Sequence, residues 1–157
     1  MEASNSKPVA EALARLKVRL IDFKRFFEQD LDFDLMVNAR WNAKDVLGHI
    51  TFWHESFASV LKALSEDEKP VLLKGKIPEI NEQGFQSTHN DSITALFERL
   101  DAAQSIISDL IVLPAIELIP YRKGSRSYTA VEHLEIVSQH IRSHLIKLQK
   151  AYKASQG

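Results

Sequence analysis

Long stretches with an apolar residue every third or fourth position, almost free of Gly and Pro, constrain this chain more than any other feature. Five glycines and five prolines are spread over 157 residues, mostly between these stretches. That pattern predicts an all-α fold, because helix punctuation is sparse and the apolar period is helical rather than alternating. Four helices emerge. The first covers about Val9 to Glu28, with Val9, Leu13, Leu16, Leu20, Phe23 and Phe27 on one face and Pro8 near its start. Its opposite face carries Arg15, Lys17, Arg19, Lys24 and Arg25, which read as a solvated basic face. The second follows the N-cap residue Asn42 and runs to about Leu64, inward through Val46, Ile50, Trp53, Phe57, Val60, Leu61 and Leu64. Asp45 stands where a carboxylate meets the helix dipole.

A 26-residue connection, Ser65 to Asn90, holds the acidic run Glu66, Asp67, Glu68, two prolines and two glycines. Loops of that length in a compact domain are functional or act as crossovers. The third helix starts near Asp91, turns Ile93, Leu96, Phe97, Leu100, Ala103, Ile107 and Ile111 inward, and ends before Pro114. A polar loop through Pro120, Gly124 and Ser127 leads to Thr129 and Glu132, whose spacing is that of a capping box. The fourth helix then runs to about Lys153 with Leu134, Ile141, Leu145, Leu148 and Tyr152 inward. Residues 1–157 read as a single domain.

Composition removes several functions. With 20 basic and 21 acidic residues and a formal charge of −1, the chain lacks the basic excess of a phosphate-backbone binder. It has no Cys, hence no disulfide framework, zinc ribbon or thiol nucleophile of its own. Met1 to Pro8 is polar and no run approaches the roughly 20 apolar residues of a membrane span, so neither signal peptide nor membrane is expected and a cytoplasmic location is.

The histidines remain. His133, His140 and His144 fall within about 40° of one another on the fourth helix, and the His140/His144 pair has the i, i+4 spacing that lets two imidazoles meet one ion. A catalytic-type metal site needs about three protein ligands, and His49, on the shoulder of the second helix's apolar stripe, is the available third. His49 stands about 10 Å up its helix and His144 about 13 Å from the end of the last, so the two share a level only if these helices are antiparallel. A long crossover between the second and third helices makes them so, and the 26-residue connection is long enough. His133 lies about 10 Å from His140 along the axis, too far to share the ion. His54, about 140° from His49, reads as a surface or interface residue. His89 lies in a loop. Arg122, Lys123 and Arg126 read as solvated loop charges, and Trp41 and Trp53 as packing residues able to wall a site.

The stretch Trp41-Asn42-Ala43-Lys44-Asp45-Val46-Leu47-Gly48-His49, followed far downstream by His140-x-x-x-His144, resembles the DinB-like superfamily of metal-dependent four-helix bundles. The resemblance implies a divalent metal, zinc or nickel, on His49, His140 and His144, an up-down-down-up bundle and a homodimer. It also implies thiol-dependent transferase or isomerase chemistry with mycothiol, bacillithiol or glutathione. The segment Pro78-Glu79-Ile80-Asn81 is similar to the ClbS/DfsB-like branch, some members of which hydrolyse a reactive genotoxin and can lack the last-helix histidines that this chain retains. The expectation is a metal-dependent thiol transferase or hydrolase acting on a small electrophile in detoxification or stress response. No general base stands out. The competing class is a non-catalytic, stress-related binding or dimerisation bundle with structural histidines.

Overall fold

The structure, a computed structural model, describes residues 2–156, with side chains from Ser6 onward; Met1 and Gly157 lie outside the described residues. It is mainly helical: α1 (Glu2–Phe26), α2 (Ala43–Ser65), α3 (Ile77–Thr88), α4 (Ile93–Leu110) and α5 (Ala130–Gln156), with two short strands, β1 (Leu118–Pro120) and β2 (Ser127–Thr129). The expected first, second, third and fourth helices are α1, α2, α4 and α5.

Two differences from the sequence expectation matter for function. The connection between the second and third expected helices is not a plain loop: it contains α3, which packs on α2. The polar loop before the last helix is a hairpin in which Leu118 pairs with Thr129 and Pro120 with Ser127. A smaller difference lies in α1, which begins before Pro8 and contains it. Among the described residues no helix is long and apolar enough to cross a membrane.

The apolar stripes pack as their periodicity demands. Helix α2 lies against α4 and α1 against α5, around a continuous core that includes Leu16, Phe23, Leu47, Ile50, Leu61, Leu96, Leu100, Ile107 and Leu134. At one end Phe26 sits edge-on to Phe27 and to Tyr152 of α5, and the Tyr152 hydroxyl donates to the carbonyl of Asp32. The basic face of α1 is partly committed to ion pairs, Arg15 with Glu135 and Lys24 with Asp101. Along α2 and α5 the facing residues run in opposite directions. His49 meets His140 and His144, whereas Phe57, about two turns on, meets His133, about two turns back.

Both capping signals form. The Asn42 side chain accepts from Asp45 N at 2.8 Å and Asp45 Oδ2 accepts from Asn42 N at 3.0 Å, which fixes the first turn of α2 one turn before His49. Thr129 and Glu132 make the reciprocal pair at the start of α5. Lys44 donates to the carbonyls of His89 and Asp91, the latter at 2.7 Å, and so ties the α3–α4 junction to the start of α2. Arg99 of α4 forks onto Glu55 of α2 and also reaches Asp91.

Helix α3 approaches α2 closely because each offers a glycine. A Cβ on Gly48 would lie 2.3 Å from Thr88 Oγ1 and 2.8 Å from Thr88 Cβ, and one on Gly84 would lie 2.8 Å from the Phe52 ring. A mid-helix glycine costs roughly 1 kcal/mol against Ala. Here overlap with a buried neighbour outweighs that gain, since Thr88 is 1% exposed and bonded to Gly84 O. Gly48→Ala and Gly84→Ala are therefore each expected to destabilise by about 1–3 kcal/mol, the usual cost of overpacking, as read from urea unfolding midpoints; a stabilised Gly48→Ala protein would show that the close contact is absent.

Candidate metal centre

Trp41, Lys44, Asp45 and His49 divide the work of one short segment. Lys44 and Asp45 secure the start of α2 by the bonds above, and Trp41 covers His49, ring centroids 4.8 Å apart. One turn above the cap, His49 points between α2 and α5 and is 6% exposed. There its Nε2 lies 3.1 Å from His140 Nε2, which lies 3.1 Å from His144 Nε2. The three ligand-type nitrogens fall within 4.8 Å of one another, and among the described residues no carboxylate joins them.

The structure therefore brings together the three residues that spacing singled out. Burial holds all three rings below the ordinary histidine range: His49 to about 2, with His144, His140 and Lys147 adding repulsion, His144 to about 3, with His140 and Lys147 adding to burial, and His140 downward by burial and by Lys147. All three are neutral near pH 7. A neutral imidazole carries one N–H and one lone pair, so His140 Nε2 can form one well-directed hydrogen bond, yet it has two close nitrogen neighbours. Whichever tautomer His140 adopts, one of the two contacts is left without a directed hydrogen bond. A cation among them would remove that conflict: nitrogens bonded at 2.0–2.1 Å to a tetrahedral ion stand about 3.4 Å apart, close to the spacing found. The donor set thus fits a borderline divalent ion such as zinc or nickel, with three protein ligands and room for one more.

Two hollows flank the cluster. Toward the start of α5 a cavity of about 140 Å³ is lined by Trp53, Phe57, Tyr121, His133 and His140, among others. Trp53 stacks on Tyr121 of the strand-bearing loop, centroids 5.3 Å apart and planes 14° apart, and its Nε1 donates to Asn81 of α3 at 2.9 Å. Toward the end of α5 a cavity of about 550 Å³ is lined by Asn38, Trp41, His144, Lys147 and Lys150.

The other histidines fall as follows. His54 is not on the surface: it is 2% exposed, because α4 covers that side of α2, and its Nε2 bonds Gln104 Oε1 at 2.7 Å. Burial holds it at about 4 despite that bond. His133 is 3% exposed, stacked on Phe57 with centroids 4.1 Å apart, and held at about 4 by burial and by His54. It lines the smaller cavity rather than joining the three. His89 is the C-cap of α3, stacked on Phe85, with Nδ1 2.7 Å from Asp45 Oδ1. Arg126 pairs with Glu132 and lies over the Tyr128 ring. Sequence reasoning singled out Asn81 only within a resembling segment, not as a partner of Trp53, and missed Gln104; a polar residue on the inward face of an apolar helix was the available signal for Gln104.

No protein-family model matches the chain, and neither does any curated protein. Among solved structures it is similar to the crystal structure of a mycothiol-dependent maleylpyruvate isomerase, at 13% identity and a TM-score of 0.71 over 89% of this chain. A histidine-to-alanine mutant of that enzyme matches at 12% identity and the same TM-score. The chain spans about 60% of the length of those two proteins. At such identity the likeness is one of fold.

Histidines held below the unfolded value of about 6.5 take up protons on unfolding once the pH drops past that value. The stability they contribute is thus complete above about 6.5 and is lost as pH falls toward about 4 at His54 and His133, at no more than about 1.4 kcal/mol per pH unit for each group. Urea unfolding of chelator-treated protein is expected to show stability declining from pH 7 to 5, with a shallower decline in His54→Gln; an equally steep decline would mean that His54 is protonated when folded.

Proposed function

We propose that this chain is a DinB-like, metal-dependent enzyme that brings a small-molecule thiol to a small electrophile, with His49, His140 and His144 holding one divalent ion. The convergence of three neutral Nε2 atoms at 3.1 Å contacts carries the reading. It rests on an up-down-down-up arrangement of α1, α2, α4 and α5 as one domain, with α3 as an insertion in the crossover; the pairing of Arg15 with Glu135, Phe26 with Tyr152 and His49 with His144 supports that arrangement. The similarity in fold to a mycothiol-dependent enzyme supports the thiol.

When bound, a divalent ion supplies Lewis acidity that lowers the pKa of a thiol or of water. The protein's residues supply the rest. His49, His140 and His144 present lone pairs because burial keeps them unprotonated at neutral pH. Trp41 screens His49 from water on one side. Lys147 and Lys150 line the larger cavity, which has room for a thiol co-substrate, and their charge favours a thiolate there. The sulfur must come from that co-substrate, since the chain has no Cys. Its addition to an electrophilic carbon, with the thiol proton passing to the product, is the transferase chemistry; attack by water at the same place is the hydrolase alternative. The proposal includes a homodimer in the cytoplasm, for which Val18 and Ile21, about half exposed on α1, offer apolar surface.

An untagged protein is expected to bind one zinc or nickel ion and to gain about 3 kcal/mol of stability at a hundredfold excess over the dissociation constant. His49→Ala and His144→Ala should each remove most of that gain while His89→Ala keeps it. A protein that gains nothing from either metal, or loses the gain equally in all three variants, overturns the site and favours the non-catalytic bundle.

A further inference from the structure

The larger cavity is set apart by what its polar lining can offer. At about 550 Å³ it falls in the size range of small-molecule sites. Five of its lining residues carry polar side-chain atoms, Asn38, Trp41, His144, Lys147 and Lys150, and none is Asp or Glu. The backbone N–H groups of Arg40 and Trp41 donate to Asn38 Oδ1 at 2.8 and 2.7 Å. Those two bonds spend the amide's acceptor and leave only its N–H groups for a ligand. Lysine and tryptophan are donors alone. Apart from His144, a member of the cluster, every polar side chain of the lining can therefore only donate.

The two lysines are also uncommitted. Among the described residues neither pairs with a carboxylate, whereas Arg15, Lys24, Arg40, Arg99 and Arg126 all do. From Ile136 onward the chain holds Arg142, Lys147, Lys150 and Lys153 and no Asp or Glu, so no acid along that part of α5 offsets them. The helix dipole favours cations near a C-terminus but does not call for two in the lining of one hollow. Lys147 and Lys150 follow His144 by about 4.5 and 9 Å along the axis, and Lys147 lies close enough to repel protons from all three clustered histidines. One exposed lysine holds a carboxylate weakly; two in one concave hollow reinforce each other's field.

We infer that the larger cavity binds a small-molecule carboxylate through Lys147 and Lys150, beside the histidine cluster, and hence that the thiol co-substrate is an acid rather than a neutral molecule. The carboxylate site stands on the cavity alone; calling its occupant the thiol rests on the proposed enzyme. With its sulfur toward His144 and its carboxylate toward the lysines, such a thiol lies along α5 in one direction only. A neutral thiol gains nothing from that pair of charges.

The test compares N-acetylcysteine with N-acetylcysteine amide, which differ in one charge, and the S-methyl ethers of both. Dissociation constants are measured by calorimetry on the untagged full chain near pH 7, zinc-loaded and chelator-treated. Each acid should bind about tenfold more tightly than its amide at low ionic strength, the order of one partly solvated charge interaction, and the ratio should shrink as salt rises. The double variant Lys147→Gln/Lys150→Gln should bring the ratio close to one, and Lys147→Arg/Lys150→Arg should retain it. Acid and amide that bind alike overturn the inference, as do acids that fail to bind and an undiminished preference in the double glutamine variant. Zinc-loaded protein that binds the thiols no more tightly than their ethers overturns the proposed enzyme; an acid-over-amide preference among the ethers then leaves the carboxylate site standing.

Discussion

Removing three imidazoles from water between two antiparallel helices is the step on which the rest of the site depends. Buried as cations they would repel one another and Lys147; buried as neutral rings they pack at hydrogen-bond distance. Burial itself decides between these states, since desolvation is the largest cause of the lowered affinity for protons in each ring. The same neutrality that lets α2 and α5 close also leaves three ring nitrogens gathered at a common point, each able to offer a lone pair to a cation. Folding and cation binding therefore ask for one protonation state.

The helices around this point are fixed by polar contacts at their ends. Asn42 and Asp45 set the phase of α2, Thr129 and Glu132 that of α5, and Lys44 fastens the α3–α4 junction to the first of these. A shift of phase by one residue would rotate His49 or His144 by about 100° away from the cluster. Helix α3 steadies Trp53 of α2, which lines the smaller cavity, through the hydrogen bond to Asn81. The aromatic cluster around Phe26 and Tyr152 closes the opposite end.

Much of this was legible in the sequence, because long amphipathic helices bury predictable faces. The inward residues of α2, α4 and α5 follow their 3.6-residue period, and helix phase, rise per residue and the long connection that allows α2 and α5 to run antiparallel together pointed to His49, His140 and His144. What escaped has local causes. Helix α3 has only 12 residues and a glycine at its contact face, so its apolar period is too short to read. The strands have three residues each. The burial of His54 is invisible to a helical wheel, which knows the angle from one neighbour; α4 covers the second side of α2, and Gln104 bonds the ring nitrogen that a surface would otherwise have hydrated.

Gly48 immediately precedes His49 and touches Thr88 on the neighbouring helix. A side chain gained at position 48 must therefore be matched by volume given up at position 88, or α3 is displaced and with it Asn81, the hydrogen-bond partner of Trp53. Two residues with no ionisable group, neither facing the histidine cluster, set how freely relatives of this chain can reshape the wall of its smaller cavity.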